Sequence, residues 1–294
     1  MKDVAAIVVT FNRKKMLKDC LLKLRGQKDA SCDVLIIDNA STDGTYETVK
    51  NQIDEKNVFY FNTGANLGGA GGFSYGIKKA IEIGYRYLWI LDDDTMPEQM
   101  ALTAFLRADK RLSGLYGYLT GKVLWKDGSV CTMNIQKNTK WKRMRSFDDM
   151  QAVQYASFVS LFMRADIVRR VGLPYKEFFI WADDWEYTRR ISKRFKAYFI
   201  PDSIVNHWCK TNVGADIIDA GADRLERFEY MYRNDVVMYR QDGLEGYLYL
   251  FIRNAVHIMR ILMKSEDRAR KIRMILKATC EGIRFRPQIE YPDI

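Results

Sequence analysis

The run Asp92-Asp93-Asp94 follows directly on Leu88-Trp89-Ile90-Leu91, so an apolar strand hands three carboxylates to one loop. Carboxylates this close repel one another and lose hydration, a cost that a bound cation or solvent must offset. Alternate residues of an extended segment share a side, so Asp92 and Asp94 reach one ligand while Asp93 points elsewhere. Oxygen donors suit Mg²⁺ or Mn²⁺ bridging to a diphosphate. The competing reading is a solvated acidic turn ahead of Pro97.

A second acidic group, Trp181-Ala182-Asp183-Asp184-Trp185-Glu186-Tyr187, sets carboxylates among large aromatics. At the start of a helix, Asp183 and Asp184 meet the favourable end of the dipole, and one of them can take a proton from an attacking hydroxyl. Capping of a helix that runs toward Ile191 is the alternative. His207 follows a short apolar segment and can complete an oxygen-rich metal site as a neutral imidazole, or serve structurally. His257, among Ile258, Met259 and Ile261, reads as packing. The piece Asn66-Leu67-Gly68-Gly69-Ala70-Gly71-Gly72 has neither dinucleotide-binding nor P-loop spacing. Its glycines imply a close backbone approach, positive φ, or simply a structural loop.

These groups need a scaffold. Val4–Val9, Val34–Ile37, Val58–Phe61 and Tyr87–Leu91 read as short buried strands separated by helical patterns, the first of them repeating at Met16, Leu17, Cys20, Leu21 and Leu24. That alternation predicts an α/β region with a mostly parallel sheet and a ligand site at the carboxyl ends of its strands. Further on, Leu115–Val123 returns to the sheet, Tyr155–Met163 reads as another buried strand and Ala197–Ile200 as a short one before Pro201. Trp125–Met150, rich in Lys and Arg, reads as a solvated insertion or a surface over the acceptor side. From Arg224 the pattern turns helical, which divides the chain into a catalytic domain over 1–223 and a basic amphipathic extension over 224–294.

The chain has 294 residues, 48% of them hydrophobic, enough for a large core. Five well-separated cysteines (Cys20, Cys32, Cys131, Cys209, Cys280) suggest neither a disulfide framework nor a zinc knuckle, and a reducing compartment is the simpler expectation. The first apolar run is about six residues long, shorter than the core of a secretory signal, and nothing approaches the roughly 20 apolar residues of a membrane span. A cytosolic protein, or one peripheral to a membrane, is expected. The net charge of +10 suits phosphorylated ligands or anionic lipid. Nucleic acid is not expected, because a carboxylate-lined centre repels a phosphate backbone.

Taken together, Val8-Val9-Thr10-Phe11-Asn12-Arg13, Ile37-Asp38-Asn39-Ala40-Ser41-Thr42-Asp43-Gly44-Thr45, Asp92-Asp93-Asp94, Asp183-Asp184-Trp185-Glu186-Tyr187 and His207 resemble the inverting glycosyltransferases of family 2, over roughly Val4 to Asn234. The resemblance implies a GT-A fold, a mostly parallel mixed sheet flanked by helices, followed here by a C-terminal helical extension. It implies Thr10, Phe11 and Arg13 near the base, Asp38 and Asn39 near the nucleoside, and Asp92 and Asp93 near the nucleotide. Asp92, Asp94 and His207 would be metal ligands, Asp184 the general base, and Trp181, Asp183, Trp185 and Tyr187 contacts to sugar or acceptor.

More narrowly, the Asn66–Phe73 piece, Trp89–Asp94 and Tyr232-Arg233-Asn234 resemble the galactofuranosyltransferase branch, with Asn66 and Gly69 at the donor. That implies UDP-galactofuranose as donor, Mn²⁺ or Mg²⁺ as cofactor, and one addition to a lipid-linked oligosaccharide. Rhamnosyltransferases using dTDP-rhamnose share much of the pattern, and a non-catalytic sugar-binding protein is the alternative of another class. In the tail, Lys264, Arg268, Arg270, Lys271, Arg273, Lys277, Arg284 and Arg286 accompany Ile272, Met274, Ile275 and Leu276. This reads as an interfacial helix on an anionic membrane, or as a helix packed on the catalytic domain or used in self-association.

Overall fold

The computed structural model describes residues 3–53 and 57–292. Its N-terminal half alternates strand and helix: β1 Val4–Thr10, α1 Lys14–Arg25, β2 Asp33–Asp38, α2 Thr45–Ile53, β3 Val58–Asn62, α3 Gly68–Ile83 and β4 Tyr87–Asp92. Then come β5 Thr95–Pro97, α4 Ala101–Arg111, β6 Leu119–Leu124, β7 Lys137–Thr139, β8 Lys142–Arg143, β9 Gln151–Ala152 and β10 Leu161–Arg164. The chain continues through α5 Ala165–Val171, α6 Asp183–Ser192 and β11 Tyr198–His207 into three helices, α7 Ala222–Arg240, α8 Gly243–Lys264 and α9 Arg268–Arg284.

The main sheet runs β3-β2-β1-β4-β10-β6-β11-β5, with β9 beside β11. Its first four strands are parallel, whereas β10 lies antiparallel to both β4 and β6. Successive residues of β1 serve opposite faces. Val4, Ala6 and Val8 pack with Leu17, Leu21 and Phe105, while Ala5, Ile7 and Val9 pack with Phe73, Ile77 and Ile81. Helices cover both sides, which is why this strand reads as an unbroken apolar run. Gly76 lets α3 lie close against the sheet, for a Cβ there would sit 2.6 Å from Ile7 and 2.8 Å from Ile37. This is a mixed, mainly parallel sheet flanked by helices, with a distinct C-terminal helical bundle.

The register decides what meets at the ligand edge. Thr10 pairs with Asp38 and Val9 with Asp92, so the ends of three parallel strands lie side by side. β5 returns antiparallel along β11 and matches Thr95 to His207. The Trp208 N–H donates to the Asp94 carbonyl at 2.8 Å and clamps the acidic turn to the end of β11.

Four expectations from sequence are corrected. Tyr155–Met163 is not one strand: Phe158–Ser160 forms a 3₁₀ turn, and only Leu161–Arg164 joins the sheet. A buried apolar run looks alike in both states. The strand expected to end before Pro201 runs on to His207, with a register shift between Ile200 and Ile204 where the proline removes a ladder donor. The return to the sheet begins at Leu119 rather than Leu115. The 125–150 segment is not solvated throughout, since Cys131, Asn134, Gln136, Lys137, Lys140 and Met144 are buried.

In the bundle, α7 sends Phe228 and Tyr232 into a core shared with Ile261 of α8 and Met274, Ile275 and Ala278 of α9. Val236, Val237 and Tyr239, further along α7, pack on Tyr155, Ala70 and Phe178 of the catalytic half. Met274 and Ile275, read from sequence as apolar contacts of an interfacial helix, are thus spent on α7. No helix among the described residues is long and apolar enough to cross a membrane.

Candidate active site

Asp92, Asp94 and His207 each offer a ligand atom, and these atoms lie within 4.8 Å of one another. His207 Nε2 is 3.2 Å from Asp94 Oδ1. Its Nδ1 lies 2.9 Å from the Asn134 Oδ1, so the ring donates there and turns Nε2 toward the carboxylates. Asp94 is buried; desolvation alone would raise its pKa, but His207 and Arg13 hold it below the ordinary carboxylate value. Burial and the neighbouring Asp94 push Asp92 the other way. No hydrogen-bond donor among the described residues reaches the Asp92 carboxylate. Two carboxylates and an oriented imidazole fit a hard divalent ion such as Mn²⁺ or Mg²⁺, which would leave coordination positions for phosphate oxygens. The Cys131 thiol lies 3.8 Å from the same Nδ1, and Cys209 completes a second group around the ring.

Asp93 points inward, accepting from Thr10 Oγ1 at 2.7 Å and from Arg13 at 3.0 Å. The same Arg13 nitrogen reaches Asp94 at 2.6 Å, so Arg13 ties the start of α1 to the acidic turn while about half its side chain stays exposed. Phe11 is exposed beside it. Asp38 is buried and accepts from the Ser41 N–H and the Tyr60 hydroxyl. Asn39 donates to the Gly68 carbonyl at 2.9 Å and leaves its own buried Oδ1 without a partner. Asn66 caps the next turn by accepting from the Gly68 N–H at 2.9 Å, and Gly69 faces open space. Together these residues line one side of the strand ends.

The opposite side is built by the loop before α6. Phe179, Trp181 and Ala182 all have positive φ, near 63–65°. Each left-handed non-glycine residue costs about 1 kcal/mol or more, so neighbours must enforce the conformation. Asn234 of α7 does so: its Nδ2 lies 3.0 Å from the Phe178 carbonyl, 3.2 Å from that of Ile180 and 3.0 Å from that of Trp181. Arg233 donates to the Glu177 carbonyl at 2.8 Å. From α3, the Ala70 N–H donates to the Phe179 carbonyl at 3.1 Å. Gly68, with φ +71°, makes room for that carbonyl, since a Cβ would sit 2.1 Å from it. The glycine-rich piece and α7 therefore hold the same loop from two sides.

That loop delivers Asp183 and Asp184 to the first turn of α6. Asp184 Oδ1 accepts from the Trp185 N–H at 2.7 Å. Burial, then the adjacent Asp183, push its pKa well above the ordinary value, and the Asp92 charge across the cleft adds to this. A carboxylate so raised is better matched to taking a proton at neutral pH. Trp181, Asp183, Asp184, Trp185, Asp235 and Arg253 line a cavity of about 350 Å³. Lys137 places its Nζ 3.8 Å over the Trp185 ring, and its burial, followed by Arg143, lowers its pKa to about 7.

Tyr187 requires a correction. Expected against the sugar, it is fully buried, packed on Phe158 and Arg190. It shares the inward face of α6 with Ile191, four residues on, in the core beneath the sheet. Sequence reasoning missed Asn134, Asp235 and Arg253, and it singled out Asn234 only as part of a resemblance, with no role attached. Asp235 and Arg253 form a buried ion pair at 2.6 Å between α7 and α8. The one available signal was Arg233-Asn234-Asp235, polar residues between the core-forming Tyr232 and Val236.

Residues 5–172 match the model of glycosyl transferase family 2. The chain is 25% identical over 262 residues to the galactofuranosyltransferase GlfT1 of Mycolicibacterium smegmatis, covering 83% of this chain and 85% of that one. To GlfT1 of Mycobacterium tuberculosis H37Rv it is 27% identical over 199 residues, 65% of this chain and 64% of that one. Among solved structures, GalNAc-T7 with UDP, GalNAc and Mn²⁺ superposes with a TM-score of 0.65 at 13% identity, over 94% of this chain and 57% of that one. S. aureus TarS 1–349 gives 0.60 at 15%, over 97% and 72%.

Proposed function

Because the chain belongs to glycosyl transferase family 2, and is an inverting hexosyltransferase acting on nucleotide-sugar donors, we propose that it moves galactofuranose from UDP-galactofuranose to a hydroxyl of a lipid-linked glycan precursor at the cytoplasmic face of a membrane. The observation that carries the donor choice is the reach of the galactofuranosyltransferase likeness. It extends over 262 residues, well past the family match that ends at residue 172, so it takes in the loop before α6 and part of the bundle.

In this reading the acceptor sugar rests between Trp181 and Trp185, with Asp235 and Arg253 on its polar edges. Asp184 takes the proton as the acceptor oxygen bonds to the anomeric carbon. The bond from that carbon to the diphosphate breaks on the opposite face, its electron pair leaves with the nucleotide, and configuration inverts. The divalent ion that Asp92, Asp94 and His207 would hold supplies charge neutralisation for the departing diphosphate. Asn134 keeps the imidazole turned, and Thr10, Arg13 and Asp93 brace the turn from behind. Thr10, Phe11, Arg13, Asp38, Asn39, Asn66 and Gly69 border the donor side.

A donor panel tests the proposal. With Mn²⁺ or Mg²⁺ present, UDP-galactofuranose is expected to be consumed at least ~10²-fold faster, in kcat/KM, than UDP-galactopyranose or UDP-glucose, a margin typical of a site shaped to its substrate's hydroxyls. Turnover with dTDP-rhamnose alone would overturn the donor while leaving the chemistry intact.

A further inference from the structure

Helix α8 has two unlike sides. Toward the protein, Arg253 reaches the acceptor cavity, and Leu250, Asn254 and Ile261 are buried. Away from it stand Leu244, Tyr247, Leu248, Phe251, Ile252, Val256, Met259, Leu262 and Met263, all exposed, with Leu244 at 90% and Phe251 at 71%. Their spacing of three and four makes one stripe along the whole helix. Glu245 is the single charged residue among those exposed between Gly243 and Met263, and Lys140 already holds it at 3.1 Å. A contiguous apolar face of this extent marks a surface that something covers.

The stripe continues onto α9. An apolar groove of about 290 Å³ runs between the two helices, with Tyr247, Leu250, Phe251, Ile258, Ile275 and Leu276 among its walls. Exposed basic residues accompany it, Lys264 at the end of α8 and Arg268, Arg270, Arg273, Lys277 and Arg284 on α9, of which Arg273 and Lys277 lie beside the groove's Leu276 and Cys280. Exposed acids on this stretch are fewer, namely Glu266, Asp267 and Glu281.

We propose that this face, the outer side of α8 with the basic rim of α9, seats the enzyme in the surface of an anionic lipid bilayer. The proposal rests on the lipid-linked acceptor argued above and names the surface that would meet it. Charge favours lipid over a second copy of the chain, because a twofold contact across the stripe would bring two basic rims together, whereas anionic headgroups complement the rim. The helix lies in the interface rather than spanning it, with its apolar side chains among the acyl chains. Arg253 on the rear of the same helix then places the acceptor cavity about one helix diameter, roughly 10 Å, from the lipid. The basic α9 singled out from sequence supplies the rim, and α8 supplies the insertion.

The test is co-sedimentation of the full chain with phosphatidylglycerol-containing vesicles and with pure phosphatidylcholine vesicles, alongside Leu248→Glu/Phe251→Glu/Met259→Glu and Arg273→Glu/Lys277→Glu. The unaltered protein is expected to pellet with the anionic vesicles and largely not with the neutral ones. The apolar triple variant should lose at least about 10-fold in partitioning, and the charge variant should lose most of its preference for anionic lipid. Both variants should keep the unaltered rate on a short, water-soluble acceptor, which separates lost docking from lost folding. Equal pelleting of all three proteins overturns the proposal. So does a dimer in sedimentation velocity that the triple substitution dissolves, if vesicles fail to pellet the unaltered chain. Docking that follows the variants while UDP-galactofuranose is not consumed would count against the function and leave the surface standing.

Discussion

Replacing Asp184 by Asn is expected to lower kcat by about 10³-fold, within the range that a positioned general base contributes, while UDP still binds. The substitution keeps the shape of the side chain and its acceptor oxygen for the Trp185 N–H at 2.7 Å. It removes only the capacity to take a proton. Because the carboxylate is held well above its ordinary pKa by burial and by Asp183, the amide also relieves repulsion, and the variant should fold at least as stably. Rates under saturating donor, together with calorimetric titration of UDP, check both halves. A kcat within a few-fold of the original would remove Asp184 from the base role. Asp183 is the internal comparison: buried in the same turn and lining the same cavity, it should matter less if the proton goes to Asp184.

Asp94→Asn should fail differently. Several kcal/mol of charge neutralisation on the leaving group depend on the ion that Asp92, Asp94 and His207 would hold, so kcat/KM should fall by about 10²–10⁴-fold. UDP binding in the presence of Mn²⁺ should weaken along with it. The turn itself should persist, because Arg13 retains Asp93 at 3.0 Å and the Trp208 N–H still meets the residue-94 carbonyl at 2.8 Å. The pair of variants therefore separates two kinds of defect, one in proton transfer with binding intact and one in binding and transfer together. Chelation of the unaltered enzyme should resemble Asp94→Asn. Loss of UDP affinity in Asp184→Asn with none in Asp94→Asn would reverse the assignments.

The strands bearing the site were legible because helices cover both faces of β1, β2 and β4, and such strands appear as unbroken apolar runs ending at Thr10, Asp38 and Asp92. Residue types left His207 open between a metal ligand and a structural histidine, and only the resemblance set it beside the acidic turn, where the fold brings its ring within 4.8 Å of the Asp92 and Asp94 carboxylates. The partner that turns the imidazole, Asn134, was not legible, for it sits in a basic segment that looks solvated and whose burial depends on tertiary packing. Phe158–Ser160 was misread because a buried apolar triplet has the same composition in a turn as in a strand.

The glycine-rich piece pointed to a close approach without saying of what. The answer, the Phe179 carbonyl beside Gly68, lies more than a hundred residues away in the chain. Asn234 was singled out by resemblance, but its role was hidden for a related reason, since a single amide binding three loop carbonyls leaves no periodic trace. In the tail, the density of basic residues drew attention to α9, yet its Met274, Ile275 and Ala278 are spent on α7, and of its large apolar side chains only Leu276 and Ile283 stay exposed. Periodicity cannot say which of two amphipathic helices keeps its apolar side uncovered.

A crystal structure with UDP and Mn²⁺ bound decides whether the acidic turn and His207 hold the ion against the diphosphate. An ion bound by Asp94, His207, Asp92 and the diphosphate is expected, with Asp184 facing the open side where the anomeric carbon would lie. A diphosphate bound elsewhere, with those three side chains engaged only with protein groups such as Arg13 and Asn134, would rule this arrangement out.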